Sequence, residues 1–165
     1  MMAEPVTRAE DRLVDGIHVL PIRVYYEDTD ASGVVYHANY LKFIERGRTD
    51  LLRRLGLTHG ALADSDGVYF TLSRCELDYL APGRLDDRLE VHTSVLALGG
   101  ATLETWQVVR RDGIDLLRGK LRLACVDGEG RPRRLPAAVR SALADLPRQG
   151  IPAQQSPSTL AEASR

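Results

Sequence analysis

Residues 36–56, YHANYLKFIERGRTDLLRRLG, carry a helical period, and the segments that follow them switch to a period of two. Tyr40, Ile44, Gly47, Leu51 and Leu55 recur every three or four residues, which makes one apolar stripe. Arg46, Arg53 and Arg54 fall where they can stay solvated. Gly47 sits inside this helix, where it costs about 1 kcal/mol against alanine. Close approach of a sheet explains a glycine there, and Gly56 is a natural stop.

Ahead of the helix, IHVLPIRVYY reads as a first strand, with Pro21 marking an edge or a bulge. After it, VYFTLSRCELDYL leads into the turn APGR. In LDDRLEVHTSVLAL one face carries Leu85, Leu89, Val91, Val95 and Ala97, and Gly99–Gly100 permits a tight reversal. ATLETWQVVR and the hairpin signal RDG follow. KLRLACV puts Leu121, Leu123 and Cys125 on one face and Lys120 and Arg122 on the other. LPAAVRSALADL reads as a short last helix with Pro136 at its first turn.

The pattern predicts an α+β fold: an antiparallel sheet of five strands, four of them a meander, with the long helix against one face. One helix does not readily cover five curved strands. A second copy that extends the sheet would hide apolar area and pair an edge.

The predicted domain spans residues 17–146, enough for one core. Residues 1–16 show no clear period, and 147–165, rich in Pro, Gln, Ser and Ala, read as a flexible tail. The formal net charge of -1 gives no reason to expect nucleic acid as a partner. No apolar run is long enough for membrane insertion. The first residues lack a signal-peptide core, so a cytoplasmic location is expected. Cys75 and Cys125 lie far apart and read as two buried thiols.

The chemistry concentrates in residues 25–48, YYEDTDASGVVYHANYLKFIERGR, where strand gives way to helix. Glu27, Asp28 and Asp30 are read either as a solvated acidic loop or as working carboxylates. DTDASG lacks the remaining ligands of a calcium loop, so no metal is expected. Gly33 allows a sharp turn or a ligand's close approach. The first turn of the following helix presents unpaired N–H groups that can hydrogen-bond an acyl carbonyl. A carboxylate beside them can attack that carbonyl or activate water.

These residues resemble the signature of the hotdog-fold acyl-CoA thioesterases of the 4-hydroxybenzoyl-CoA type, and within it the bacterial branch associated with the Tol–Pal system. RVYYEDTD, GVVYHANYLKFIERGRTDLLR and LDYLAPGRLDDRLEV carry the resemblance, which covers about residues 18–145. It implies a curved antiparallel sheet wrapped around one long helix, paired into dimers or dimers of dimers. It implies an acyl-CoA substrate and no tightly held cofactor. Asp30 matches the catalytic aspartate, and His37 the carbonyl-polarising backbone amide, its ring adding a proton-exchanging group.

Val34, Val35 and Tyr36 match the approach to the acyl pocket, and Asn39 and Tyr40 the next helix turn. Ser32 stands where the branch often has glycine. Glu45 is read as a cleft residue or as an ion-pair partner of Lys42 or Arg48. Arg74, Arg84 and Arg88 are candidates for the CoA phosphates, against ordinary surface charge. Tyr79 and Pro82 match a segment at the subunit interface or nucleotide entrance. The competing reading of Asp30 is a turn cap. Competing functions are hydrolysis of an acyl-carrier-protein thioester and acyl binding or scaffolding without turnover.

Overall fold

The computed structural model describes residues 10–148. Residues 1–9 of the expected N-terminal segment and 149–165 of the expected tail lie outside the described residues. In chain order the elements are β1 (Arg12–Val14), β2 (Ile17–Arg23), α1 (Asn39–Arg54), α2 (His59–Asp66), β3 (Tyr69–Tyr79), β4 (Arg88–Leu98), β5 (Thr102–Arg111), β6 (Ile114–Val126) and α3 (Ala137–Ala144). A single 3₁₀ turn at Tyr26–Asp28 sits between β2 and α1.

The six strands form one antiparallel sheet in the order β1-β2-β4-β5-β6-β3. This corrects the expected fold in two ways. The sheet is open, with β1 and β3 as its two edges, and is not curved around a single helix; three helices accompany it. The meander is confined to β4-β5-β6, while β2 joins beside β4 and β3 crosses to the far side of β6.

The reason lies in coverage. α1 is about 24 Å long at 1.5 Å per residue, and it packs on β2, β4 and β5. Its first half closes one core with Ile22, Leu89, Val91, Val109 and Leu121. Leu51 and Leu52 of its second half join another with Val95, Leu103 and Leu123. That second core is completed by Leu62 of α2 and by Val139 and Leu143 of α3. The chain thus covers with two short helices what one long helix leaves open.

Gly47 is where α1 comes closest to the sheet. A Cβ there would lie 2.7 Å from Val91 Cγ1 and 2.8 Å from Thr93 Oγ1. The gap admits the buried amide of Gln107, whose Nε2 donates to Ile44 O at 2.7 Å and to Thr93 Oγ1 at 2.8 Å. Its Oε1 accepts from Arg48 Nη1 at 2.8 Å. Asp112 and Gly113, both at positive φ, make the two-residue turn between β5 and β6.

Two smaller expectations change. Ala97 leaves the buried face of β4 because the register shifts between Val95 and Ala97. Cys75 is exposed, since it lies on the edge strand β3, whereas Cys125 is buried. Pro21 fits its place: β1 pairs with β2 only as far as Val19, so β2 is an unpaired edge on that side from Leu20 onward. No helix among the described residues is long and apolar enough to cross a membrane.

Candidate active site

The loop from β2 to α1 is built around two aspartates with different surroundings. Asp28 is 4 % exposed. Its Oδ2 accepts the Tyr25 N–H at 2.8 Å, and its Oδ1 accepts Asn39 Nδ2 at 2.7 Å. Its backbone oxygen accepts the Tyr36 N–H at 2.9 Å. Asp28 is therefore a latch that fastens the start of α1 to the end of β2.

Asp30 stands at a turn closed by Gly33 N–H to Asp30 O and Asp30 N–H to Val34 O, both at 3.0 Å. Gly33 has φ +76°, and a Cβ there would meet nothing within 4 Å, so the backbone angle itself calls for glycine. Asp30 Oδ1 accepts the Ser32 N–H at 2.8 Å and also the Ser32 hydroxyl. Oδ2 has no partner among the described residues and faces solvent. The carboxylate thus both caps its turn and presents a free oxygen. The Ser32 hydroxyl first, then the Ser32 and Val34 backbone groups and the nearby His37, hold its proton affinity below the usual carboxylate value.

The other wall is tied to the same loop. Val35 N–H donates to Gly83 O at 2.8 Å, and Thr29 and Val34 form isolated bridges to Val35 and Arg84. Gly83 N–H donates to the Tyr40 hydroxyl at 2.9 Å. Tyr79 donates its hydroxyl to His37 O at 2.8 Å. The His37 N–H, just ahead of α1, has no acceptor among the described residues. It lies one residue ahead of Ala38, the N-cap of α1, near the helix end where backbone dipoles favour negative charge.

Asp30, Gly33, Val34, Val35, Tyr36, His37, Asn39, Tyr40, Tyr79 and Arg84 are thus brought to one neighbourhood. Within it Val35, Asn39 and Tyr40 are buried and serve packing and the latch, while Tyr36 and His37 are exposed, their rings 4.5 Å apart. Arg88 is exposed and lies directly across from Arg23 in the β2–β4 register. Among the described residues neither Arg84 nor Arg88 has a carboxylate partner for its guanidinium. Like charges opposed across two strands are unfavourable unless an anion lies between them.

Arg74 lies elsewhere. It pairs with Glu76 on the face of the sheet that carries Glu104, Lys120 and Arg122, away from the helices.

Glu45 makes no contact with Asp30 among the described residues. It lines a cleft of about 360 Å³ between α1, α2 and the sheet, with Arg48, Leu103, Thr105, Leu123 and Leu143 among its walls. Sequence reasoning placed neither Arg48 nor Thr105 here. Both sit in ordinary periodic positions, and only the packing of α1 on β5 makes them neighbours.

Known proteins resemble this chain in sequence and in fold. The family model described as "Thioesterase superfamily" matches residues 32–117, beginning two residues after Asp30. The Haemophilus influenzae protein "Acyl-CoA thioesterase YbgC" is 41 % identical over 135 residues, covering 81 % of this chain and 99 % of its own. "Acyl-CoA thioester hydrolase YbgC" of Escherichia coli O6:H1 is 41 % identical over 121 residues, covering 72 % and 90 %. A solved thioesterase from Thermus thermophilus, complexed with coenzyme A and Zn, superposes with a TM-score of 0.68 at 28 % identity, covering 79 % of this chain and 93 % of that one.

Proposed function

The chain belongs to the thioesterase superfamily, and on that footing we propose that Asp30 and the His37 amide carry out the hydrolysis of an acyl-CoA thioester. The enzyme releases a free carboxylic acid and CoA. One observation supports these two groups above all: among the described residues, a carboxylate with a free oxygen and an N–H without an acceptor just ahead of α1 share one short, heavily bonded loop. The N–H receives the thioester oxygen as it gains negative charge. Asp30 either attacks the carbonyl, giving an anhydride that water opens, or takes a proton from the attacking water. In both routes the C–S bond breaks, the thiol leaves with a proton, and water supplies the acid's new oxygen. Thiol release from a panel of acyl-CoAs, with an acyl-carrier-protein thioester as comparator, tests the reading. No release from any acyl-CoA would overturn it.

Arg84 and Arg88, with Arg23 beside them, are our candidates for the CoA phosphates, since they are exposed, near the loop and without carboxylate partners among the described residues. Arg84→Glu and Arg88→Glu are each expected to weaken binding of free CoA about threefold to tenfold at fixed ionic strength. Arg74→Glu, on the other face, serves as the comparator and is expected to leave it unchanged. Equal affinities in all three variants would remove the cluster from the phosphate site.

The working form is a dimer. β3 is an edge of 11 residues with Tyr69, Leu72, Cys75 and Tyr79 exposed, which is costly to leave in water. Light scattering in solution is expected to give at least twice the monomer mass. An active monomer would refute this assembly.

A further inference from the structure

On the reading just given, the acyl group held at the His37 amide needs an apolar site; the cleft beside α1 begins at Leu41, one helical turn beyond His37, and its floor holds two groups that a plain hydrocarbon chain would leave unserved. Thr105 is 1 % exposed, and among the described residues its Oγ1 has no hydrogen-bond partner. The side chain lines the cleft between Leu103 and Leu123, with Leu143 of α3 nearby. A hydroxyl buried among apolar side chains without a partner is unfavourable, and such groups in native proteins have a reason to be there.

Arg48 lines the same cleft. Its guanidinium gives one N–H to the neutral Gln107 Oε1 at 2.8 Å and has no ion-pair partner among the described residues. Burial lowers its proton affinity, and Glu45, one turn earlier, opposes that. Gln107 and Thr105 are two residues apart on the same face of β5, which separates them by roughly 7 Å. The hydroxyl and the guanidinium therefore border one short stretch of an otherwise apolar floor. Lys42 and His59 also line the cleft. Its volume, about 360 Å³, is in the range of a small-ligand pocket.

We infer that the acyl group of the substrate carries an oxygen acceptor away from the thioester, that Thr105 donates to it, and that Arg48 is the neighbouring donor. Thr105 is then a specificity-determining residue. The acceptor can be a hydroxyl, a keto group or a carboxylate. Arg48 and Lys42 favour the carboxylate, and Glu45 disfavours it.

The test uses acyl-CoAs of four to ten carbons, each paired with counterparts of equal length that carry a hydroxyl, a keto oxygen or a terminal carboxylate. Values of kcat/KM come from thiol release for the parent, Thr105→Val, Thr105→Ala and Thr105→Ser. At least one oxygenated substrate should be preferred over its plain partner by about threefold to tenfold. The preference should vanish in the Val and Ala variants and persist in Ser. A preference that is absent throughout in the parent, or that survives in folded Val and Ala variants, overturns the inference. A hydroxyl that only holds a water would shift both members of each pair alike, which also counts against it. If the parent cleaves no thioester, the hydrolase reading fails. Calorimetric binding of unreactive thioether analogues of the same pairs then decides the role of Thr105 by itself.

Discussion

Asp30→Asn is expected to cut the single-turnover rate of thioester cleavage about 100-fold or more, with the fold and assembly mass unchanged. The substitution separates the two duties of Asp30. An asparagine oxygen still accepts the Ser32 N–H, so the turn keeps its cap. The anion that attacks the carbonyl or deprotonates water is lost. Substrate affinity should change far less than the chemical step. If the folded variant cleaves pre-bound acyl-CoA at the parent rate, the assignment is wrong, and Glu45 becomes the next carboxylate to test.

The pH profile gives an independent check. The active form is the anion, and the contacts of Asp30 hold its proton affinity below the ordinary value of 3.8. Activity that depends on this ionisation should therefore survive as pH falls through the usual carboxylate range and fail only below it. Ser32→Ala removes the largest of these contacts and should move the acid limb upward.

Gly47→Leu is expected to destabilise the protein by about 3 kcal/mol or more, and Gly47→Ala by less. Even the alanine Cβ would lie 2.7 Å from Val91 Cγ1 and 2.8 Å from Thr93 Oγ1. Both belong to β-branched side chains, which have little freedom at χ1 to move away. Alanine recovers about 1 kcal/mol of helix propensity, which offsets part of the clash. Leucine adds bulk that would lift α1 off β4 and break the Gln107 bonds to Ile44 and Thr93. Urea midpoints at constant slope measure the effect. A Gly47→Ala protein as stable as the parent would show that the sheet yields at this point.

These two positions also show what the sequence made legible. The apolar stripe of α1, the need for Gly47, the Asp112–Gly113 turn and the alternation of β6 are local patterns, and each is found where the sequence suggested. Sheet order was not legible, because alternation tells which face a residue occupies and not which strand it meets. Nothing in the pattern of β3 announces β6 as its neighbour. β1 is three exposed residues, too short for any period, and α2 buries only Leu62.

At the site, the run of acidic residues singled out the loop, yet residue type alone did not say which carboxylate is bound up. Asp28 and Asp30 differ in burial and partners, which only the fold supplies. Thr105 gave no signal at all, since a threonine in a strand is ordinary.

The placement of β3 has a cost during synthesis. Tyr69 meets Val126, and Tyr79 meets Leu117, so β3 has no partner until most of the domain has left the ribosome. At roughly 5–20 residues per second, that leaves an 11-residue strand waiting for seconds while the rest of the chain is made. Contacts so distant in sequence also slow folding after release. The nascent chain is exposed to aggregation in that interval, and β3 is a target for a chaperone that holds extended segments.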